Sequence, residues 1–247
     1  MKTKILILLL FFANSIIAQQ LEPIEADRPD QTETPSIVPT GMFQVESGFT
    51  FEKNTKNSYS NALPSTLWKY GVNKIIELRL ITEFIYEEIE NEKFSGLNPI
   101  LLGFKINILK EKGIVPKTSF IGHIALPKLA SSKYKADYIA PEFRFTMQHT
   151  LSKKISLGYN LGAEWDGFST KPTFIYTLTS GYKISNKLGF YAEVFGYAPQ
   201  NQIAYHNIDG GFTYLINNNF MVDLSSGFGI TKNAPKHYFA IGFSFRI

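Results

Sequence analysis

Histidine and serine are the residue types in this chain that could do nucleophilic chemistry. The sequence has four histidines and no cysteine. His123 shares a face of its segment with Ser119, which is the first requirement for a nucleophile and its base. No G-x-S-x-G turn is present, however, and no pair of histidines has the H-x-x-x-H spacing of a metal site. The sequence therefore predicts no enzyme, no cofactor and no metal ion.

Charged side chains recur at every second position of several segments, and apolar residues fill the positions between them. In one segment Glu77 and Arg79 alternate with Ile76, Leu78 and Leu80. This period of two predicts a β-strand with one polar and one apolar face. An Arg on the lipid side would cost about 2–4 kcal/mol near the midplane, so the polar face must point inward. The residues predicted to line this interior and a solute pathway are Glu46, Glu77, Arg79, Glu83, Glu142, Arg144, Glu193 and Asp223.

The same alternation runs through most of the chain, which has 247 residues and 15% aromatic residues. After the N-terminus no apolar run reaches the roughly 20 residues of a membrane helix. In lipid a sheet must close on itself, because its edge groups find no water there. The sequence thus predicts an all-β, transmembrane, antiparallel up-and-down β-barrel of about 12 strands. The predicted strands are 41–52, 63–72, 75–87, 97–109, 117–126, 138–150, 154–165, 173–184, 188–198, 203–216, 219–230 and 237–247.

Long polar connections alternate with short turns between these strands. Long loops are predicted after Glu52 and from Glu87, for example, and a short turn at Asn73-Lys74. Bacterial outer-membrane barrels have long outer loops and short periplasmic turns. The expected location is the bacterial outer membrane with both termini in the periplasm, and the expected partners are outer-membrane lipid and the barrel assembly machinery. The formal net charge of +4 gives no reason to expect nucleic acid.

The N-terminus divides into two parts before the barrel, which is predicted for residues 40–247. Residues 1–18 have two lysines, an unbroken apolar run over 5–12 and a small residue at Ala18, which predicts a secretory signal peptide. Residues 19–39 are acidic and proline-rich without periodicity, and we expect an irregular periplasmic leader. Arg28 and Asp30 of this leader are predicted to pair with Glu77 or Arg79, so that the leader would plug the periplasmic mouth. The alternative is a flexible tether.

The junction between the leader and the first strand resembles a family of outer-membrane transporter-like barrels labelled "putative meta-pathway of phenol degradation". The residues that carry this resemblance are Asp27, Arg28, Pro29, Asp30, Thr32, Glu33, Thr34, Pro35, Val38, Pro39, Gly41, Gln44, Glu46 and Gly48, followed by Tyr70, Gly71, Glu77 and Arg79. The resemblance implies a porin-like channel for small, hydrophobic or aromatic solutes. It carries over no catalytic residue.

Two functions follow from the sequence. The first is an outer-membrane transporter or channel for a small-molecule solute, and the second is a structural or surface-interaction barrel with a filled lumen. Twelve strands lie between the filled interior of about 8 strands and the open channel of about 16. Ion pairs across the lumen could serve either function, and the sequence alone leaves both open.

Overall fold

The structure, a computed structural model, describes residues 21–247, and the predicted signal peptide lies outside this range. One antiparallel sheet contains all of its strands. These are β1 Phe43–Thr55, β2 Ser58–Gly71, β3 Ile76–Ile89, β4 Glu92–Leu97, β5 Ile100–Leu109, β6 Lys117–Leu126, β7 Ala140–Thr150, β8 Ile155–Glu164, β9 Thr173–Lys183, β10 Leu188–Pro199, β11 Tyr205–Asn217, β12 Phe220–Gly229 and β13 His237–Arg246. Within residues 21–247 no helix is both long enough and apolar enough to cross a membrane.

The sheet closes into a barrel because β13 pairs with β1 along their length, from Gln44 opposite Arg246 to Lys53 opposite His237. The strands β4 and β5 both pair with β3 and together occupy one place in the wall. They are separated at Asn98-Pro99, where proline has no N–H for the ladder. The predicted barrel of about twelve antiparallel strands is therefore confirmed, with one of the twelve split in two.

The two faces of the wall differ in the way that the alternation predicts. Along β12 and β13 most outward side chains are large and apolar, and most inward ones are small or polar. Leu224 is 41% exposed between Asp223 at 4% and Ser225 at 2%. Likewise, Ile241 lies on the outside of the barrel, whereas the preceding residue, Ala240, is buried on the inside. The outward face is suited to lipid, and the inward face leaves polar groups that need partners.

One end of the barrel carries short turns that are closed by side-chain oxygens. The Asn73 side chain accepts hydrogen bonds from the backbone of Ile75 and Ile76. Ser152 and Ser185 do the same for the next hairpins on this end, each accepting from the backbone two and three residues ahead. Asn and Ser favour such turns because their short side chains can replace a backbone acceptor. We call this the short-turn end.

The predicted long loops after Glu52 and from Glu87 are wrong. The strands β1 and β2 continue to a turn at 56–57, and β3 and β4 continue to a turn at Glu90-Asn91. Both residues of the second turn have positive φ, 53° and 75°, which is the geometry of a tight hairpin. These strand extensions carry polar residues on both faces. Hydrophobic alternation therefore disappears there, although the backbone ladder continues.

Candidate functional site: the leader inside the lumen

The leader enters the barrel at the short-turn end and returns to that same end. At its start the backbone N–H of Ile24 donates to the carbonyl of Asn218, in the β11–β12 turn, at 2.8 Å. At its end Gly41 donates to the carbonyl of Gly71 at 2.7 Å. Between these points residues 26–39 lie inside the wall, where Asp27, Thr32 and Val38 are buried. The leader is thus a loop folded into the lumen.

Asp27 is the leader residue that forms ion pairs with the largest number of cations of the wall, three in the described part of the chain. Its carboxylate accepts from Lys69 at 2.9 Å, from Arg79 at 3.0 Å and from Lys105 at 2.8 Å. All three cations are at most 3% exposed. Burial alone would raise the pKa of Asp27, but Lys105, Lys69 and Arg79 together hold it well below its usual range. Asp27 is therefore an anion over the whole physiological range.

Arg79 joins the leader to two further strands. Its guanidinium contacts Glu33 of the leader at 2.5 Å and Glu77 of its own strand at 3.2 Å. Its Nε donates to His123 Nε2 at 3.1 Å, and His123 Nδ1 lies 3.8 Å from Glu142. Glu142 in turn accepts from Arg144 at 2.8 Å. The charges that the sequence placed separately on β3 and β7 are thus connected through His123 on β6.

Arg28 reaches the opposite side of the lumen. Its guanidinium donates to Asp223 on β12 from Nη2 at 2.9 Å and from Nε at 3.3 Å. It lies directly against the backbone of Gly48 on β1 and Gly242 on β13, where a Cβ atom would overlap it. The two glycines therefore form the space in which the guanidinium fits.

The wall also binds the leader through its backbone. Glu46 accepts from the N–H groups of Asp27 at 2.8 Å and Arg28 at 3.1 Å. Other backbone groups are paired in the same way by side chains of the wall. These contacts are Glu193 with Gln31 N–H and the Thr32 hydroxyl, Asn160 with Glu33 N–H, Glu77 with Val38 N–H, Arg144 with the Gln31 carbonyl, and Ser119 with the Pro35 carbonyl. An irregular segment could not be buried without such partners.

The predicted interior residues fall into two groups. Six of them contact the leader: Glu46, Glu77, Arg79, Arg144, Glu193 and Asp223. The other two, Glu83 and Glu142, line a cavity beyond the leader. Of the predicted leader motif, Asp27, Arg28 and Glu33 make ion pairs, whereas Pro29 and Asp30 line a second cavity.

The predicted pairing of Arg28 and Asp30 with Glu77 or Arg79 is wrong in its partners. Arg28 pairs with Asp223, and Asp27 and Glu33 are the leader residues at Arg79. The spacing of residues along the leader does not tell which part of the wall each side chain faces. The sequence could therefore not predict which of the neighbouring charged residues of the leader contacts which residue of the wall. Lys69 was missed although it alternates with Trp68 and Tyr70, which is the signal of an inward residue.

Three adjoining cavities lie beside and beyond the leader, and a separate cavity of about 200 Å³ lies between the two ends of the leader, lined by Lys117 and Arg246 among others. The outer cavity, about 730 Å³, is lined by Glu87, Trp165 and Tyr134 among others. The middle cavity, about 410 Å³, shares Glu164 and Tyr197 with it. The inner cavity, about 130 Å³, lies toward the short-turn end and shares Asp30 with the middle one. The leader thus narrows the lumen but leaves space along one side.

Comparison with solved structures shows the same fold. An outer membrane channel from Pseudomonas putida F1 matches with a TM-score of 0.73 and 10% identity, over 90% of this chain and 100% of that one. The NanC porin matches with a TM-score of 0.57 and 10% identity, over 83% and 100%. The translocator domain of the autotransporter NalP from Neisseria meningitidis gives 0.54 and 10% identity, over 85% and 90%.

The comparison at the level of sequence is more specific. No curated protein matches the chain. The family profile described as "Putative MetA-pathway of phenol degradation" matches residues 26–247, which takes in the leader from its motif onward and the whole barrel. The chain belongs to this family of outer-membrane β-barrels.

Proposed function

We propose that this protein is an outer-membrane channel for small, uncharged aromatic solutes, with the leader as its gate. The observation that carries the proposal is the leader itself. It folds into the lumen as a loop, it is held by buried ion pairs, and it leaves a series of adjoining cavities along one side. A barrel built only as a scaffold would not need a series of cavities beside a segment that is held in its lumen.

The lining of the outer cavity supports an aromatic solute. Trp165, Tyr134, Phe168 and Tyr197 provide ring faces and edges, and Pro99 adds apolar surface. Binding sites for small molecules combine such apolar and aromatic surface with a few polar groups. The family description, which refers to phenol degradation, points to the same solute class.

The gate can be tested by conductance. The intact protein is reconstituted in planar bilayers beside a chain that lacks residues 19–36. A third chain keeps the length of this segment but replaces it with Gly and Ser. We expect small current steps from the intact protein and severalfold larger steps from both altered chains, because the segment that holds the leader carboxylates against the wall leaves the lumen. Equal conductance of all three would contradict the gate.

The same bilayers test the solute class. Catechol is expected to interrupt the potassium current briefly by occupying the outer cavity, whereas glycerol at the same concentration is not. Absence of current from all three chains would instead support the structural, filled barrel, since a sealed lumen passes no ions.

A further inference from the structure

The three cavities share lining residues, and this defines a route past the leader. Glu164 and Tyr197 lie between the outer and the middle cavity, and Asp30 lies between the middle and the inner cavity. On the opposite side the leader is pressed against Lys69, Arg79 and Lys105, which are buried. A solute that passes the leader therefore follows the side formed by β7 to β11 together with β13 and β1, and it meets Asp30 at the junction of the last two cavities.

The charges along this route are mainly acidic. Acidic side chains line every cavity, and the two junctions carry Glu164 and Asp30. The basic residues that line the middle and outer cavities are Arg28, which is paired with Asp223 at 2.9 Å, and Lys133, which lies over the ring of Phe94. No basic residue lines the inner cavity in the described part of the chain, whereas Asp30 and Glu33 both do.

Three buried basic residues of the lumen are paired with carboxylates of the leader. Lys69, Arg79 and Lys105 contact Asp27, and Arg79 also contacts Glu33. The leader thus covers the positive side of the lumen and leaves the negative side as the route. Charges lining a narrow pore set its ion selectivity through local electrostatic attraction and repulsion.

We infer that the route past the leader excludes anions and admits neutral and cationic solutes, with Asp30 as the residue that determines this selection. This inference rests on the proposed channel function and deepens it. It assigns the neutral phenol, rather than a phenolate or benzoate anion, as the permeating form of an aromatic solute. The leader is then more than an obstruction, because its own carboxylate is part of the selective element.

The surroundings of Asp30 add a dependence on pH. Burial, together with the negative charges of Asp209 and Asp27, raises the pKa of Asp30 to about 8. The ionisable groups that act on Asp30 or share the middle cavity with it are Glu193 and Tyr191 on β10, Asp209 on β11, Tyr238 on β13, Glu52 on β1, Glu164 on β8, and Asp27 and Arg28 of the leader. As the pH rises through about 8, Asp30 gains its negative charge. The preference for cations should therefore increase across this range.

Reversal potentials of the full-length protein in a KCl gradient test the inference. At about pH 9, where Asp30 is charged, we expect the wild type to prefer potassium over chloride and Asp30→Asn to lower this permeability ratio severalfold; the substitution should also abolish the increase of the ratio between about pH 7 and about pH 9. The control, Asp137→Asn, removes the same charge from an exposed position that lines none of the three cavities, and it should change neither. Mobility of unboiled and boiled samples on gels verifies that each variant is folded.

The outcomes separate this inference from the proposed channel. Current that prefers chloride, or a ratio unchanged by Asp30→Asn, would overturn the selection while the channel stands. If Asp30→Asn does not fold, the charge of Asp30 is removed in the wild type by lowering the pH from about 9 to about 6, and an unchanged ratio counts equally against the inference. Current from the leader deletion but not from the wild type would show that the leader seals the lumen, which also overturns it. No current from either would overturn the channel itself.

Discussion

The two sides of the lumen hold the same leader in different ways. On the basic side, formed by Lys69 on β2, Arg79 on β3 and Lys105 on β5, the wall provides cations and the leader provides carboxylates. On the acidic side, around Glu193 on β10, the wall provides carboxylates and the leader provides backbone N–H groups and a hydroxyl. Binding of the leader on the basic side therefore depends on the charge of its side chains, whereas binding on the acidic side depends mainly on its backbone N–H groups.

This difference explains where space remains. Three cations around one carboxylate need close, direct contact, because a buried charge without a partner costs several kcal/mol. The basic side is accordingly packed, with Lys105 and Glu77 fully buried. Hydrogen bonds from a backbone need only single acceptors at intervals, so the acidic side can leave cavities between them. The basic side anchors the leader, and the acidic side forms the route by which a solute would pass it.

Loss of the Asp27 charge should have the largest effect on the conductance, because three buried cations of the basic side share this one carboxylate. Asp27→Asn keeps the shape of the side chain but leaves three buried cations with less counter-charge. We expect a loss of about 3–5 kcal/mol in the free energy of holding the leader in place, and severalfold larger conductance. Current steps and protease cleavage within the leader measure this. Asp137→Asn on the outer surface is the matched control, and a leader that remains protected in Asp27→Asn would contradict the anchoring role.

Acidification should distinguish the two sides without mutation. The pKa of Asp27 is held well below its usual range. A carboxylate with a lowered pKa contributes stability above its unfolded pKa of about 3.9, and this contribution is lost only as the pH falls through the folded value. Conductance should therefore stay constant on mild acidification to about pH 4, in contrast to the selectivity change expected at Asp30. Opening of the channel at about pH 5 would show that a group other than Asp27 holds the leader.

The site of Arg28 should give a smaller effect, because one ion pair is displaced rather than three. A methyl group in Gly242→Ala would overlap the Arg28 guanidinium and move it from Asp223. We expect a loss of about 1–3 kcal/mol in leader binding, as for one hydrogen bond to a charged group, and a modest increase in conductance. Gly122→Ala is the control on another strand, since its Cβ would meet only the lipid-facing rings of Phe104 and Phe120, with a nearest atom at 3.2 Å. Equal conductance of the two variants would contradict a specific Arg28 site.

The wall of the barrel was predictable from sequence because one physical constraint determines it. Each spanning strand must place apolar residues toward lipid, so the phase of the alternation identifies Glu77, Arg79 and Glu193 as inward residues without any tertiary information. The constraint ends where the lipid ends. The extensions of β1 to β4 are therefore the part in which the strand limits were wrong, since both faces there are polar.

The arrangement of the leader was much less predictable. Its motif indicated charged contacts with the wall, but an irregular segment has no period that fixes which way each side chain points. Asp27, Arg28 and Asp30 are within four residues of one another, yet they reach the basic side, Asp223 and the cavities, respectively. That separation arises from the space available at Gly48 and Gly242 and from the positions of the lysines around the closed barrel. Neither the space at these glycines nor the positions of the lysines can be predicted until the pairing of the strands in the closed barrel is known.

The smallest effect is expected on the acidic side, at Glu193. In the unaltered protein the Gln31 N–H donates to Glu193 at 2.7 Å. Glu193→Gln retains one oxygen that can accept this hydrogen bond, while the bond from the Thr32 hydroxyl is weakened. Since a single neutral hydrogen bond contributes about 0.5–1.5 kcal/mol, the leader should stay in place with nearly unchanged conductance. Hydrogen exchange at the Gln31 N–H should nevertheless become faster, while exchange at the Val38 N–H, which bonds to Glu77, should not. Release of the whole leader by this one substitution would mean that the acidic side, rather than the three cations around Asp27, is its anchor.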